Sequence, residues 1–297
     1  MQGLLLINKP KDITSFKAVA AIRKKANTKK VGHTGTLDPL ATGVLPVLVG
    51  KATSLCDYLL TADKSYIATV KAGISTDTLD ITGEILDEKT PDFDQAQLLC
   101  ALKNFTGEQL QTPPMYSAIK KDGVPLYKLA RKGQEIEVEQ RKITVHSITL
   151  LEFSKDDYTF KIDVSCSKGT YIRSLCRDIG EFLGCGATLT DLIRTKTGGF
   201  TLENCVDLDT VSEENVSSYL LSEELAVMHL PELQISFNQA KRFSNGGKLS
   251  FDRLNCEIAE DLCYRVKYKD NFIGIGFADK ENREIRIKCL INPIKED

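Results

Sequence analysis

Residues Lys29 to Thr42, KKVGHTGTLDPLAT, hold too many glycines, threonines and prolines for a helix or a strand, and the segments on both sides read as regular structure. Ser15–Ala26 places Phe16, Val19, Ala20 and Ile22 on one helical face, with Thr14 or Ser15 as the cap. Val44–Val49 is an apolar run of strand length. The loop is therefore held between two ordered elements, the setting in which chains tend to carry binding and catalytic groups. Asp38 is the only carboxylate between Ile13 and Cys56, against Lys17, Arg23, Lys24, Lys25, Lys29, Lys30 and Lys51. Neighbouring cations favour the charged carboxylate, and a fixed acid beside a surface that attracts phosphate fits a nucleophile aimed at a nucleotide. Asp38-Pro39 after Gly35 equally fits a plain turn.

The rest of the chain predicts a mixture of helices and strands. Leu4–Ile7, Tyr66–Ala72, Ile143–Phe153 and Tyr158–Ser167 read as strands, the last two paired around Ser154–Asp157. Leu55–Leu60 ends a helix, Asp94–Phe105 is helical, and Tyr171–Leu183 is a helix stopped by Gly184. Gln111–Lys142 is irregular and basic, with a short helix near Leu126–Lys132. The acidic stretch Glu203–Glu232 is expected to form helices on the outer face of the main domain. A boundary near Pro231–Ile235 then separates a β-rich module. That module has a helix at Phe237–Phe243, a turn at Asn245-Gly246-Gly247, and strands at Cys263–Tyr268, Phe272–Ala278 and Glu284–Leu290.

Charge is distributed unevenly. The net value is −2, yet residues 1–33 carry eight Lys and Arg against one Asp, and residues 113–133 carry five against one. Residues 203–232 hold eight acids and no Lys or Arg, which hides the basic clusters in the total. Local clusters of this kind make a phosphate-binding face. The nine cysteines include no C-x-x-C pair and there are three histidines, which argues against both a zinc site and a disulfide framework. No apolar run reaches the length of a membrane span, and no signal peptide is expected, so reduced thiols in a cytoplasm are the simplest reading. A Walker A loop, G-x-S-x-G and H-E-x-x-H are all missing from the sequence.

GHTGTLDPLATGVLP, from Gly32 to Pro46, resembles the active-site motif of the tRNA pseudouridine synthase B family, whose members isomerise the uridine at position 55 of the tRNA T-loop. The resemblance covers roughly residues 1–200. It implies an α/β (α+β) catalytic domain over residues 1–232, built on a mixed, largely antiparallel sheet with flanking helices, and a small PUA-like RNA-binding barrel over 233–297. Asp38 matches the catalytic aspartate. Tyr66 matches the tyrosine that stacks on the uracil and helps remove the C5 proton, and Arg173, in KGTYIR, the arginine that pairs with the aspartate. Tyr171 lines the pocket and Leu192 packs near the base. His33 matches a histidine that fills the space left by the flipped nucleotide. Lys9, in Asn8-Lys9-Pro10, matches a lysine that braces the active-site loop, although many relatives have Asp where Asn8 stands. PPMYSAIKKDGVPLYKLARKG, within the insertion of about 111–142, resembles an RNA-gripping segment. It places Met115, Tyr116 and Ser117 near the pocket and Lys120, Lys121, Lys128, Arg131 and Lys132 toward phosphates.

Breaking N1–C1′, turning the uracil and rejoining it through C5 needs one carboxylate and no water, metal, redox centre or other cofactor. The expectation is a cytoplasmic, monomeric, metal-free enzyme whose partner is tRNA. Three alternatives stay open: a non-catalytic RNA-binding or tRNA-folding protein, a guide-RNA-dependent synthase on the same scaffold, and a sugar- or nucleoside-processing hydrolase. The hydrolase would need a second acid in the pocket to handle water.

Overall fold

The computed structural model describes residues 1–134 and 136–294. Position 135, in the expected gripping insertion, and 295–297, at the end of the expected module, lie outside the described residues. The main body is a ten-stranded sheet. Its principal path runs Val206–Asp207, Gly3–Lys9, Thr42–Val49, Ala187–Thr197, Lys64–Ala72, Thr159–Cys166, Arg141–Ser154, Gly107–Gln111. Val31–His33 adds to Thr42–Val49, and Phe200–Thr201 to Ala187–Thr197. Two neighbour pairs are parallel, Gly3–Lys9 with Val206–Asp207 and Thr42–Val49 with Ala187–Thr197, and the others are antiparallel. The sheet is thus the mixed, largely antiparallel one expected.

Packing explains the run GLLLINK. Leu5 and Ile7 enter the core beneath the helices Ser15–Lys25, Gln95–Asn104 and Ile172–Phe182, while Leu4 and Leu6 point into a second cluster. A strand covered on both faces reads as continuously apolar, because alternate side chains bury on opposite sides. The second cluster joins Leu48, Leu55 and Leu59 to Ala226, Val227, Phe272, Ile275 and Ile291, so it seats the C-terminal module on the main sheet. That module is a curled five-stranded sheet in the order Glu232–Gln234, Cys263–Tyr268, Asn271–Asp279, Glu284–Leu290, Leu249–Ser250, closed by the helix Phe237–Ser244 over its own core.

Three expectations need correction. The acidic stretch forms no α-helix. It makes 3-10 turns at Leu202–Asn204, Val216–Tyr219 and Glu223–Val227 and the short strand Val206–Asp207. Its buried positions, Leu208, Val211, Val216, Ala226 and Val227, do not recur at helical spacing. Its polar side chains also bond the local backbone instead, as where Asn215 Oδ1 accepts from Ser212 N at 2.6 Å. Nor is it an outer face: Leu221 pairs with Leu4 at the sheet edge, and Glu224 reaches Arg265 and Lys267 of the module at 2.5 and 3.2 Å. Second, the expected loop Lys29–Thr42 contains the strand Val31–His33, formed by tertiary pairing with Val47–Val49. Third, the helix Ser15–Lys25 buries Ser15, Ala18, Val19 and Ile22, while Phe16 and Ala20, expected on its apolar face, are exposed. The central strand Ala187–Thr197 carried no expectation.

Candidate active site

The loop carrying Asp38 is pinned on both sides of the acid. Leu37, Leu40 and Ala41 are buried. Ser15 Oγ accepts from Leu37 N at 2.8 Å and donates to Leu37 O at 3.1 Å, tying the loop to the start of the Ser15–Lys25 helix. Lys9, fully buried, donates from Nζ to the carbonyls of Pro10 (2.8 Å), Ile13 (2.7 Å) and Pro39 (3.3 Å). Burial pushes the Lys9 ammonium down to about 8, against the opposing pull of Asp38 and Asp12. Asn8 Nδ2 meanwhile donates to Asp207 Oδ1 at 2.8 Å, holding the strand end to its parallel neighbour. The chain therefore presents Asp38 between buried anchors, with its side chain 32% exposed.

Arg173 approaches from the first turn of the Ile172–Phe182 helix. Its Nε lies 2.8 Å from Asp38 Oδ2, but the N–H direction misses the oxygen, so the contact is an ion pair rather than a hydrogen bond. Nη1 donates to Thr78 O at 2.8 Å and Nη2 to Tyr116 O at 2.9 Å. One buried guanidinium thus joins the Asp38 loop, the Thr76–Gly83 turn and the insertion. Asp38 Oδ1 takes no hydrogen bond from any described residue, and the Arg173 Nε–H is a buried donor without an aligned acceptor. The exposed Oδ1 is open to a molecule from outside the chain.

Tyr66 lies on Lys64–Ala72 and Leu192 on Ala187–Thr197, where the register sets Leu192 opposite Ala68 and Arg194 opposite Tyr66. Both Tyr66 and Leu192 are largely buried on the core side of the sheet. His33, at the end of its strand, is half-buried, and burial followed by the Arg194 charge pushes its imidazole down. Tyr171 precedes the Arg173 helix. Its backbone N–H donates to Gln111 Oε1 at 2.8 Å, and Gln111 Nε2 returns a bond to Tyr171 O at 3.1 Å, clamping the root of the insertion. Burial pushes the Tyr171 phenol up, with Ser117 beside it acting the other way.

Within the insertion, Tyr116 donates to Asp77 Oδ2 at 2.9 Å and Met115 is half-buried beside it. Lys120–Lys121 and Val124–Pro125 form a hairpin around Asp122-Gly123, both at positive φ as such a two-residue turn requires. Lys120, Lys121 and Arg131 are exposed, and the Arg131 guanidinium sits 5.7 Å over the Tyr127 ring. The structure therefore brings Lys9, Asp38, Tyr66, Tyr171, Arg173 and Tyr116 to one locus and leaves the insertion's cations projecting from it. A cleft of about 390 Å³, lined by Thr69, Glu152, Thr159 and Lys161 among others, holds none of these groups. The site is marked by its polar constellation.

Sequence reasoning missed two groups. Asp80, 5% exposed, lies 3.8 Å from Arg173 Nη1, and its Oδ1 accepts from Thr78 Oγ1, Thr82 N and Thr82 Oγ1. A polar turn, TDTLDITG, was the only signal for it. Arg194 is buried to 1% exposure and donates to Val44 O, Gly35 O and Thr36 O at 2.8, 3.1 and 3.4 Å. Nothing in the local pattern marks it, since an arginine in an alternating strand reads as a solvent-facing position.

Comparison with known proteins matches these elements to one family. Residues 23–172 fit the model of the TruB family pseudouridylate synthase N-terminal domain, and residues 173–231 that of the tRNA pseudouridylate synthase B C-terminal domain. The tRNA pseudouridine synthase B of Clostridium tetani is 44% identical over 98% of this chain and 100% of its own. That of Chromobacterium violaceum is 44% identical over 98% and 95%. Among solved structures, the archaeal box H/ACA sRNP Nop10–Cbf5 complex contains a chain that superposes with a TM-score of 0.74 at 26% identity, covering 98% of this chain and 86% of that one. A Cbf5–Nop10–Gar1 complex gives 0.73 at 28%, with 99% and 84% covered. The chain belongs to the TruB family of pseudouridylate synthases.

Proposed function

We propose that this enzyme, which by its family isomerises uridine in tRNA, acts on the T-loop uridine at position 55 with Asp38 as its catalytic carboxylate. The observation that carries the proposal is the Asp38 carboxylate itself. It is accessible to a substrate, one oxygen faces a buried arginine, the other is free of partners, and it stands in the family's motif. Attack on C1′, attack on C6 and the base step of an elimination all need that free, fixed oxygen.

The uridine must leave its stack to reach Asp38, at a cost of a few kcal/mol. Stacking on Tyr66 offsets about 1–3 kcal/mol of it. After N1–C1′ cleaves and the base turns, C5 joins C1′, the C5 proton leaves with help from the Tyr66 hydroxyl, and N1 gains one. Leu192 and Tyr171 wall the site, His33 fills the place the base vacates, and Lys9 holds the loop. Met115, Tyr116, Lys120, Lys121 and Arg131 grip the RNA. The module from residue 233 adds RNA contact, and the enzyme works as a cytoplasmic monomer on bare tRNA without metal or cofactor. Among the described residues no helix is long and apolar enough to cross a membrane.

Asp80 bears on the hydrolase alternative, because it is a second acid within reach of Arg173. It is buried behind the guanidinium and one oxygen is saturated by three donors, so it is badly placed to activate water. The guide-RNA alternative draws on the H/ACA complexes among the solved relatives. One assay separates the readings: purified protein and an unmodified tRNA transcript tritiated at uridine C5, with nothing added. Release of about one equivalent of tritium, mapped to the T-loop and abolished in Asp38→Asn while tRNA binding persists, is the expected result. Free uracil would identify a hydrolase, release only with a guide RNA would identify the guided enzyme, and wild-type yield from Asp38→Asn would remove Asp38 from the chemistry.

A further inference from the structure

We infer that Arg194 is a positioning residue for this reaction: its buried guanidinium ties the backbone of the Asp38 loop to the side of the sheet that carries the Tyr66 hydroxyl, so that both groups meet the uracil in one fixed geometry. The inference rests on the proposed function above.

Arg194 is a full cation at 1% exposure, and among the described residues no carboxylate lies within ion-pair distance of it. Burying an unpaired charge is expensive. A residue kept there needs strong acceptors, and the structure supplies carbonyls. Two of them, Gly35 O and Thr36 O, belong to the turn that leads into Asp38, and the third, Val44 O, to the strand that leads out of it. The backbone is shaped for this grip. Gly43 has φ +106°, and a Cβ there would stand 2.3 Å from Arg194 O. Gly35 has φ +112°, and a Cβ there would touch Arg194 Nη1. At Gly43 the missing Cβ lets this strand lie against the Arg194 backbone, and at Gly35 it is the left-handed φ, with room to spare, that favours glycine.

The strand register puts Tyr66 directly across from Arg194. Burial pushes the Tyr66 phenol up, and the guanidinium charge beside it acts the other way. The other groups facing Tyr66 are Cys166, from the neighbouring strand, and Asp38. Cys205 faces Arg194, and Lys9, His33 and Lys64 each feel its charge. The guanidinium charge favours the phenolate, the form of the Tyr66 hydroxyl able to take up a proton from C5. A solely structural Arg194 would hold the loop but have no effect through Tyr66, and that difference is measurable.

The test compares Arg194→Lys, Arg194→Met, Tyr66→Phe and the Arg194→Lys/Tyr66→Phe double variant in single-turnover tritium release, alongside tRNA binding and thermal melting. Loss of the fork should slow the step by about 100-fold, the scale of a 1 Å misplacement, with tRNA affinity changed by no more than about threefold. The effect of Arg194→Lys should shrink by at least about tenfold in the Tyr66→Phe background, as coupled residues require. Across about pH 6–10, the alkaline part of the rate profile should move upward in Arg194→Lys, and the same substitution should move it no further in the Tyr66→Phe background. If Arg194→Met does not fold, Arg194→Lys, which keeps the charge and most of the volume, decides the matter. Strict additivity with Tyr66→Phe, an equal loss at every pH, or a folded Arg194→Met with wild-type rate would overturn the inference. An inactive wild type would instead remove the proposed function beneath it.

Discussion

Arg173→Lys keeps a positive charge beside Asp38 and removes the fork that the site is built around. In the native chain three directions of one guanidinium serve three segments: Nε faces Asp38, Nη1 the Thr78 carbonyl and Nη2 the Tyr116 carbonyl. An ammonium on a flexible stem is a point charge and cannot hold that planar geometry. The ion pair is the smaller part of the loss. The Asp38 side chain is about a third exposed, so solvent screening leaves it roughly 1 kcal/mol or less. The two carbonyl bonds come from a charged donor whose side chain is 5% exposed, and each such bond is worth roughly 1.5–3 kcal/mol. Lysine can keep one of them at best. The expected destabilisation is therefore about 2–4 kcal/mol, most of it from the turn and the insertion coming loose.

For a chain of this size that loss lowers the melting temperature by roughly 5–10 °C. Activity should suffer beyond the stability effect, because the same fork sets where Asp38 and Tyr116 sit. Single-turnover tritium release measured well below the variant's melting temperature should fall by about 100-fold. The measurement pairs calorimetry with that rate. A variant melting within about 1 °C of wild type and turning over at the wild-type rate would refute the reasoning, because it would mean that charge alone suffices and the joined loops do not matter. A lowered melting temperature with an unchanged rate would refute the catalytic half only.

Three further outcomes follow from the same geometry. The Lys9 ammonium is depressed from 10.5 to about 8 by burial, so between those values the unfolded chain holds a proton that the folded chain has released. Wild-type stability, measured by urea unfolding against Lys9→Met, should gain on the variant as pH rises from about 8 to 10, and a gap that narrows over that range would contradict the burial account. Gly43→Ala should cost at least about 1–3 kcal/mol from the left-handed backbone alone, and more from the 2.3 Å approach to Arg194 O; urea unfolding reads it, and a neutral result would mean that the strands part without cost. Brief alkylation followed by mass spectrometry should label Cys100 and Cys256, the exposed thiols, well before Cys176, which is buried and whose thiol burial pushes up.

What the sequence disclosed, and what it hid, divides by the range of the forces involved. Strands that alternate locally were readable: Cys263–Tyr268 and Glu284–Leu290 have the bounds that their side-chain pattern predicts. So was the Ser15–Lys25 helix with its Thr14 cap, whose Oγ1 accepts from Lys17 N at 3.1 Å. Elements made by tertiary pairing were not. Val31–His33 is a strand only because Val47–Val49 lies beside it. The acidic stretch follows the sheet edge and the module, so its apolar residues answer to Leu4, Phe272 and Ile275 rather than to one another. The candidate site divides in the same way. Asp38, Tyr66 and Arg173 were singled out through the motifs around them, and their meeting place is visible only in three dimensions. Arg194 carries no mark in one dimension and Asp80 only a polar turn, because what singles each of them out is a charge buried where a lone sequence places a surface. Asp80 is tolerable there because Arg173 and three donors meet it, and Arg194 because carbonyls from two chain segments meet it. Buried charges of this kind hold loops in one arrangement at a cost in stability, which a site that must hold its reacting groups in fixed geometry has reason to accept.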